Sequence, residues 1–281
     1  MAAPGSDEAA GRWGARRQRA KVLLDRYPFA AELLTLYLGL LDVWEDGWEL
    51  ARTERPDPER LPGWAAERVL PRVAKVTEQT GPEPLATAAR HLAEVGGGLE
   101  AALAAWLAGG DLPPVERYLA RASLYPALGA DAGAACADDP SPRGGRRCPL
   151  CGGPPQVSFR SAGGDPLVSG GRHLMCARCG HAWSYAAGSC PSCGELSSAQ
   201  RTVYAERHAG PIVARDDPEN APTFPHLRVD ACERCGRYLI DVDLGRDGRA
   251  VPEVDELAAL PLDLYAAERG LAKITPNLMG F

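Results

Sequence analysis

The stretch CARCGHAWSYAAGSCPSCG, residues 176–194, places two Cys-x-x-Cys-Gly turns ten residues apart. Two thiolates separated by two residues wrap one tetrahedral metal when the backbone turns tightly enough to aim its amides at the sulfurs. Glycine after the second cysteine accepts the left-handed backbone that such a turn requires. Two turns this close either share one ion or are halves of two different sites. The choice decides how the second half of the chain is built.

The rest of that half supplies the answer. Of the nine cysteines, all but Cys136 fall in four pairs, each followed by glycine: CPLCG (Cys148, Cys151), CARCG (Cys176, Cys179), CPSCG (Cys190, Cys193) and CERCG (Cys232, Cys235). One such pair would be weak evidence, equally a redox pair or chance. Four in one half of the chain point to metal. The first and third share C-P-x-C-G, while the second and fourth share Arg-x-x-x-Cys-x-Arg-Cys-Gly, running from Arg172 and from Arg228. The order is A-B-A-B, the mark of an internal duplication. Each unit reads as knuckle, strand, return strand, knuckle, strand, the layout of a zinc ribbon or rubredoxin-like module. The simplest closure puts Cys148, Cys151, Cys176 and Cys179 on one ion and Cys190, Cys193, Cys232 and Cys235 on another. A nested closure, first knuckle with fourth and second with third, stays open. Four thiolates accept zinc or iron with similar geometry, so two ions per chain are expected without a choice between them.

Outward from these modules the chain changes character. Residues 137–147, ADDPSPRGGRR, carry no apolar side chain beyond the first alanine and mark a boundary. Before it, apolar residues recur at helical spacing, as in Ala30, Leu33, Leu34, Tyr37, Leu38 and Leu41, or Val115, Tyr118, Leu119 and Ala122. Pro- and Gly-rich breaks such as RPDPERLPG and AGGDLPP separate the stripes. Five or six helices in a bundle are expected, with Trp44, Trp48 and Trp64 as core or groove residues. After the boundary come short β-type runs: QVSFR, RHLM, HAWSY, QRTVYAERH, HLRVDA and RYLIDVDL. The tail returns to a helical pattern, DELAALPLDLYAAERG, kinked or divided at Pro261 and stopped at Gly270. It ends in KITPNLMGF, an apolar segment suited to docking. The fold class is therefore α+β: an N-terminal helical bundle, two tandem four-cysteine modules and a C-terminal helix. The expected divisions are a helical domain over 1–137 with its first dozen residues disordered, a linker over 138–147, modules over 148–189 and 190–250, and a helix and tail over 251–281.

Composition narrows the function. The hydrophobic fraction of 45% and charged fraction of 24% are those of a globular protein. A net charge of −6 argues against nucleic-acid binding, which needs clustered Lys and Arg. The most apolar run, LLTLYLGLL, is too short to span a bilayer. Arg16-Arg17 is followed by QRAK rather than an apolar segment, so it reads as a solvated helix start and not as an export signal. The cysteines are then expected in a reducing cytoplasm, where spaced pairs bind metal or do redox chemistry. His181 reads as a strand residue beside the second knuckle, and Cys136 as an idle thiol. His173, His208 and His226 lack ligand spacing. No catalytic or phosphate-binding motif is present, and no catalytic residue is assigned.

The two tandem Cys-x-x-Cys units, the RYLIDVD that follows the last knuckle, the DELAALPLDLYAAERG helix and the Pro-Asn-Leu tail together resemble the FdhE family of formate dehydrogenase accessory proteins. The resemblance is specific over 148–281 and one of pattern alone over the helical half. It implies a non-enzymatic cytoplasmic protein needed to make active respiratory formate dehydrogenase, contacting the catalytic subunit of that enzyme before export. It also implies rubredoxin-like sites able to hold iron, carried here by the eight paired cysteines only. The alternative is a rubredoxin-like iron redox or sulfur-handling protein. The chain departs from the pattern in the long segment GPIVARDDPENAPTFP, residues 210–225, inside the second unit.

Overall fold

In a computed structural model the protein is described over residues 6–95, 98–131, 145–161, 170–206 and 222–280. Cys136, His208, linker residues 138–144 and most of the 210–225 segment lie outside them. The N-terminal half is helical: α1 (Ser6–Arg26), α2 (Ala31–Glu54), α3 (Leu61–Arg68), α4 (Leu70–Thr80), α5 (Glu83–Val95), α6 (Leu99–Leu107) and α7 (Pro114–Ala130). That is more than the five or six expected, because Val69 joins α3 to α4 directly and the long α1 has no clean apolar stripe. Prolines open α3, α4 and α7 at their first turns, where a missing N–H costs nothing. The leucine-rich α2 buries Leu34, Tyr37, Leu41, Trp44 and Trp48 and packs against α1, α4 and α7. Trp64 is half-buried and donates to Glu54.

The second half carries one sheet: β1 (Pro155–Arg160), β2 (Arg172–Cys176), β3 (Ala182–Ser184), β4 (Arg201–Ala205), β5 (Leu227–Cys232), β6 (Arg237–Asp243) and the short β7 (Ala272–Lys273). Each β-type run of the sequence forms one of the first six. Their order is β3-β2-β1-β6-β5-β4, with β7 also on β6. Each module contributes an antiparallel trio, and the trios join where β1 runs parallel to β6 through Ser158↔Asp241 and Arg160↔Asp243. The duplicated units thus tile head to tail, the first strand of one beside the last strand of the other. Because β5 occupies one edge of β6, β1 and β7 share the opposite edge, making β6 the spine of the sheet.

Strand alternation gives the sheet two unlike faces. Val157, Val229, Ile240 and Val242 point to one side, where α8 (Pro252–Ala258) and α9 (Leu260–Glu268) pack. The other side carries a polar seam across the module junction. Asp241 accepts from Ser158, Arg160 and Arg228, while Asp230 accepts from Arg172 and Arg201. Ser158, Arg172, Asp230 and Asp241 are all buried, so the seam meets the rule that buried charges are paired. The matched arginines of the duplication, Arg172 and Arg228, are both seam residues.

Helical half and sheet share one continuous core, from Trp13 on α1 to Leu278 in the tail. Polar contacts reinforce it. Arg16, expected at a solvated helix start, lies mid-helix and buried; it pairs with Glu253 at the start of α8 and donates to the Tyr125 hydroxyl on α7 (2.8 Å). Only Arg17 faces outward, to Asp42 and Glu45. Helix α1 is described from Ser6, within the first dozen residues expected to lack order. The tail helix divides at Ala259, with Pro261 in the first turn of α9, and Gly270 takes a left-handed φ of 71° after its end. The segment beyond docks back, burying Asn277 and Leu278. Among the described residues no helix is long and apolar enough to cross a membrane.

Candidate metal centres

The knuckles sit at strand ends, and the sheet decides which meet. The first precedes β1 and the second ends β2, so the β1–β2 hairpin brings them together. The third precedes β4 and the fourth ends β5, with the same result. Cys148, Cys151, Cys176 and Cys179 form one quartet and Cys190, Cys193, Cys232 and Cys235 another, every sulfur of a quartet within 4.8 Å of the rest. This is the sequential closure rather than the nested one. All four glycines that follow the knuckles adopt left-handed φ, between 64° and 81°. Each turn is closed by the amide of its glycine, which donates to the carbonyl of its first cysteine in all four (Gly152 to Cys148, Gly180 to Cys176, Gly194 to Cys190, Gly236 to Cys232).

The spacing fits a four-coordinate ion. Sulfurs at the corners of a regular tetrahedron with metal–sulfur bonds of about 2.3 Å stand about 3.8 Å apart. The second quartet shows 3.8 Å for Cys190–Cys235 and for Cys193–Cys232. The first is slightly tighter, at 3.7 Å for Cys148–Cys179 and 3.4 Å for Cys151–Cys176 and Cys151–Cys179. The Arg178 amide points at Cys176 Sγ from 3.3 Å, the amide-to-sulfur contact that such a turn provides.

In the first quartet, thiol donors at Cys151, Cys176 and Cys179 hold Cys148 far below the usual thiol range. The same hydrogen bonds drive Cys151 and Cys179 far above it. In the second, burial pushes Cys190 up to about 12. At Cys193 a burial cost is outweighed by the Glu195 amide and the neighbouring thiols, which lower it. The sulfurs of each quartet thus stand close enough to share protons through hydrogen bonds. A divalent or trivalent ion replaces those protons, which is the chemistry of a tetrathiolate centre.

His181 stands just before β3, and only its carbonyl faces the first quartet, accepting from the Cys176 amide (2.9 Å). His173 stacks on Phe159. His226, which carries no ligand spacing, is buried and lies 2.7 Å from Asp255; that carboxylate also takes Arg19 bidentately. A second buried cluster, also invisible in the sequence pattern, joins Lys273 to Glu256 and Asp263, with Tyr238 donating to Asp263 and Gln156 to Glu256. The signal available was the cluster Glu253, Asp255 and Glu256, three carboxylates within one seven-residue helix.

Fold and site together define a class: a tandem four-cysteine ribbon protein with a helical domain sealed to its sheet. Comparison with known proteins narrows it. Residues 212–279 match the family model described as FdhE, C-terminal domain. Protein FdhE homolog of Aquifex aeolicus is 30% identical over 134 residues, covering 48% of this chain and 41% of that protein. Protein FdhE homolog of Pseudomonas aeruginosa is 32% identical over 132 residues, covering 47% and 38%. The matched stretch thus spans about two fifths of the relatives' own length. The crystal structure of the FdhE protein from Pseudomonas aeruginosa shares the fold end to end, with a TM-score of 0.65 over 99% of this chain and 97% of that one, at 22% identity. The chain is thus similar in sequence to FdhE proteins over just under half of its length and shares the fold of one of them throughout.

Proposed function

We propose that the chain is an accessory protein in the maturation of formate dehydrogenase, acting in the cytoplasm by holding the immature catalytic subunit and catalysing no turnover of its own. The observation that carries this reading is the pair of cysteine quartets on one sheet, sealed to a helical domain, in a chain that shares the fold of an FdhE protein. Closed tetrathiolate centres build and stiffen surfaces rather than activate water, because they leave no coordination position open. Each quartet holds one ion, iron or zinc, through Cys148, Cys151, Cys176 and Cys179 or through Cys190, Cys193, Cys232 and Cys235. Bound metal supplies the cross-link that small ribbon cores need to stay folded. Elemental analysis of the purified chain, expected to return two ions, identifies the metal, and a ferric tetrathiolate is visible by its colour.

The test of the client is affinity purification from the native host grown anaerobically, with mass spectrometry of what co-purifies. A formate dehydrogenase catalytic subunit is expected in the eluate and absent when the knuckle cysteines are replaced. Its absence alongside a folded, metal-loaded protein would overturn the assembly reading. One observation favours a redox or sulfur-handling role instead: Cys193 is exposed.

A further inference from the structure

The two quartets have the same ligands and the same turns, but the chain encloses them differently. In the first, Cys148, Cys151, Cys176 and Cys179 are all buried. Helix α7 lies over it: Arg121 Nε donates to the Ala177 carbonyl between the two cysteines of the second knuckle. A methyl group built on Gly180 would stand 3.0 Å from the Tyr125 hydroxyl of the same helix. One built on Gly153 would stand 2.7 Å from Cys176 Sγ itself. Cys176 Sγ is thus packed against Gly153, and the turn at Gly180 against α7.

In the second quartet, Cys190 and Cys232 are buried, Cys235 is half-buried and Cys193 is exposed. The matched glycine of the fourth knuckle, Gly236, has open space where Gly180 has Tyr125. At Gly194 the nearest atom is the Arg146 side chain, 3.8 Å away. What holds the third knuckle is a set of backbone contacts: the Cys190 amide to the Glu195 carbonyl, Arg146 to the Ser192 carbonyl, the Tyr185 hydroxyl to the Cys190 carbonyl and Arg172 to the Ser189 carbonyl. No helix among the described residues covers it.

We propose that the second quartet is an exchangeable centre that opens at Cys193 to admit a soft ligand, a thiolate offered from outside, while the first is a locked structural one. The exchange is a ligand substitution. The bond between the metal and Cys193 Sγ breaks, a bond from the metal to the incoming sulfur forms, and the proton of the incoming thiol passes to Cys193. The metal keeps its oxidation state, and the other three cysteines keep it in place. This rests on the reading that both quartets bind metal.

The experiment uses the full metal-loaded chain, with its ion content measured first. Release to a chromogenic chelator is followed at several glutathione concentrations, and brief iodoacetamide labelling is mapped by mass spectrometry. One ion is expected to leave about tenfold or more faster than the other, a difference of the size that outer-shell support produces. The fast phase accelerates with glutathione, and Cys193 is alkylated before any of the first four cysteines. In Cys193→Ser the fast phase changes and the slow phase does not. Two ions leaving in a single phase, a fast phase indifferent to glutathione, or earlier labelling at Cys148, Cys151, Cys176 or Cys179 would each overturn the proposal. A folded chain without metal would instead overturn the reading beneath it. The labelling pattern of the unaltered protein decides even if the variant folds poorly.

Discussion

At the scale of single residues, two glycines near the knuckles separate space from strain. Gly153 has an ordinary backbone, yet an added methyl would meet Cys176 Sγ at 2.7 Å and the Arg178 side chain at 3.1 Å. Gly236 has open space around it but a φ of 64°. Gly153→Ala is therefore expected to weaken metal binding at the first quartet about 10- to 100-fold with little backbone cost. Gly236→Ala is expected to cost about 1–2 kcal/mol in stability and to leave the first quartet alone. Chelator competition and urea unfolding read the two effects separately; equal loss of first-site metal in both variants would contradict the assignment. Asp241 offers a pH test. Burial alone would raise its carboxyl, but the Ser158 hydrogen bond and the Arg228 and Arg160 charges together hold it below the ordinary value. A carboxylate depressed on folding stabilises the fold above its unfolded pKa, about 4, and that contribution is lost as pH falls through the folded value. Asp241→Asn should therefore cost about 2–4 kcal/mol at pH 7. The gap between variant and parent should narrow on acidification below pH of about 4. A gap that stays constant from neutral to acid pH would show that the charge of Asp241 is not what the seam uses.

At the scale of elements, the strands were legible and their assembly was not. Runs such as QVSFR and RYLIDVDL are short, rich in β-branched and aromatic residues and bounded by turn residues, which suffices to recognise them. The parallel pairing of β1 with β6 joins residues more than eighty positions apart, Ser158 with Asp241, and no local pattern encodes it. The duplicated motif points to the two quartets because each copy repeats the same first knuckle and the same second knuckle in order. It could not show that Arg172 and Arg228 lie in a seam between the copies. Helix α1 was misread for a related reason. Arginine in a helix normally marks the wet face, and the partners that bury Arg16 and Arg19, on α8, come from beyond residue 250. That contact gives a prediction at this scale. Asp255 accepts Arg19 bidentately, faces His226 and caps the start of α8 through the Val251 amide at 2.8 Å. Asp255→Ala leaves the buried Arg19 guanidinium with Asp247 as its one remaining carboxylate and is expected to cost about 3–5 kcal/mol. Hydrogen exchange should then show faster opening of α8 and of the α1 face that packs on it. Protection unchanged in α1 would mean that the ion pair does not join the two elements.

At the scale of the whole molecule, the linker-like composition of residues 137–147 suggests separable parts, whereas the packing argues for one cooperative unit. The apolar cluster runs without a break from Trp13 through the sheet to Leu278, and α7 covers the first quartet. Metal bound there is then coupled to the helices as well as to the ribbons. A ligand that binds only the folded state at about a thousand times its dissociation constant adds about 4 kcal/mol. For a chain of this size, that is about 8–16 °C in melting temperature. Removing the first ion should lower the melting of the helical half by this amount, although no ligand lies in that half. With Trp183 on β3 replaced by phenylalanine, the two halves carry separate probes: Trp13, Trp44, Trp48, Trp64 and Trp106 report on the helices, and thiolate-to-metal absorption reports on the sheet. With the ions bound, tryptophan fluorescence, far-ultraviolet dichroism and metal absorption should trace one urea transition, apart from any earlier loss at the second quartet. Cys176→Ser should move that whole transition, while Cys232→Ser should move it less, because Cys193 and Cys235 of the second quartet reach the surface. Helices that melt at the same denaturant concentration with and without the first ion would show that the halves are docked but not coupled.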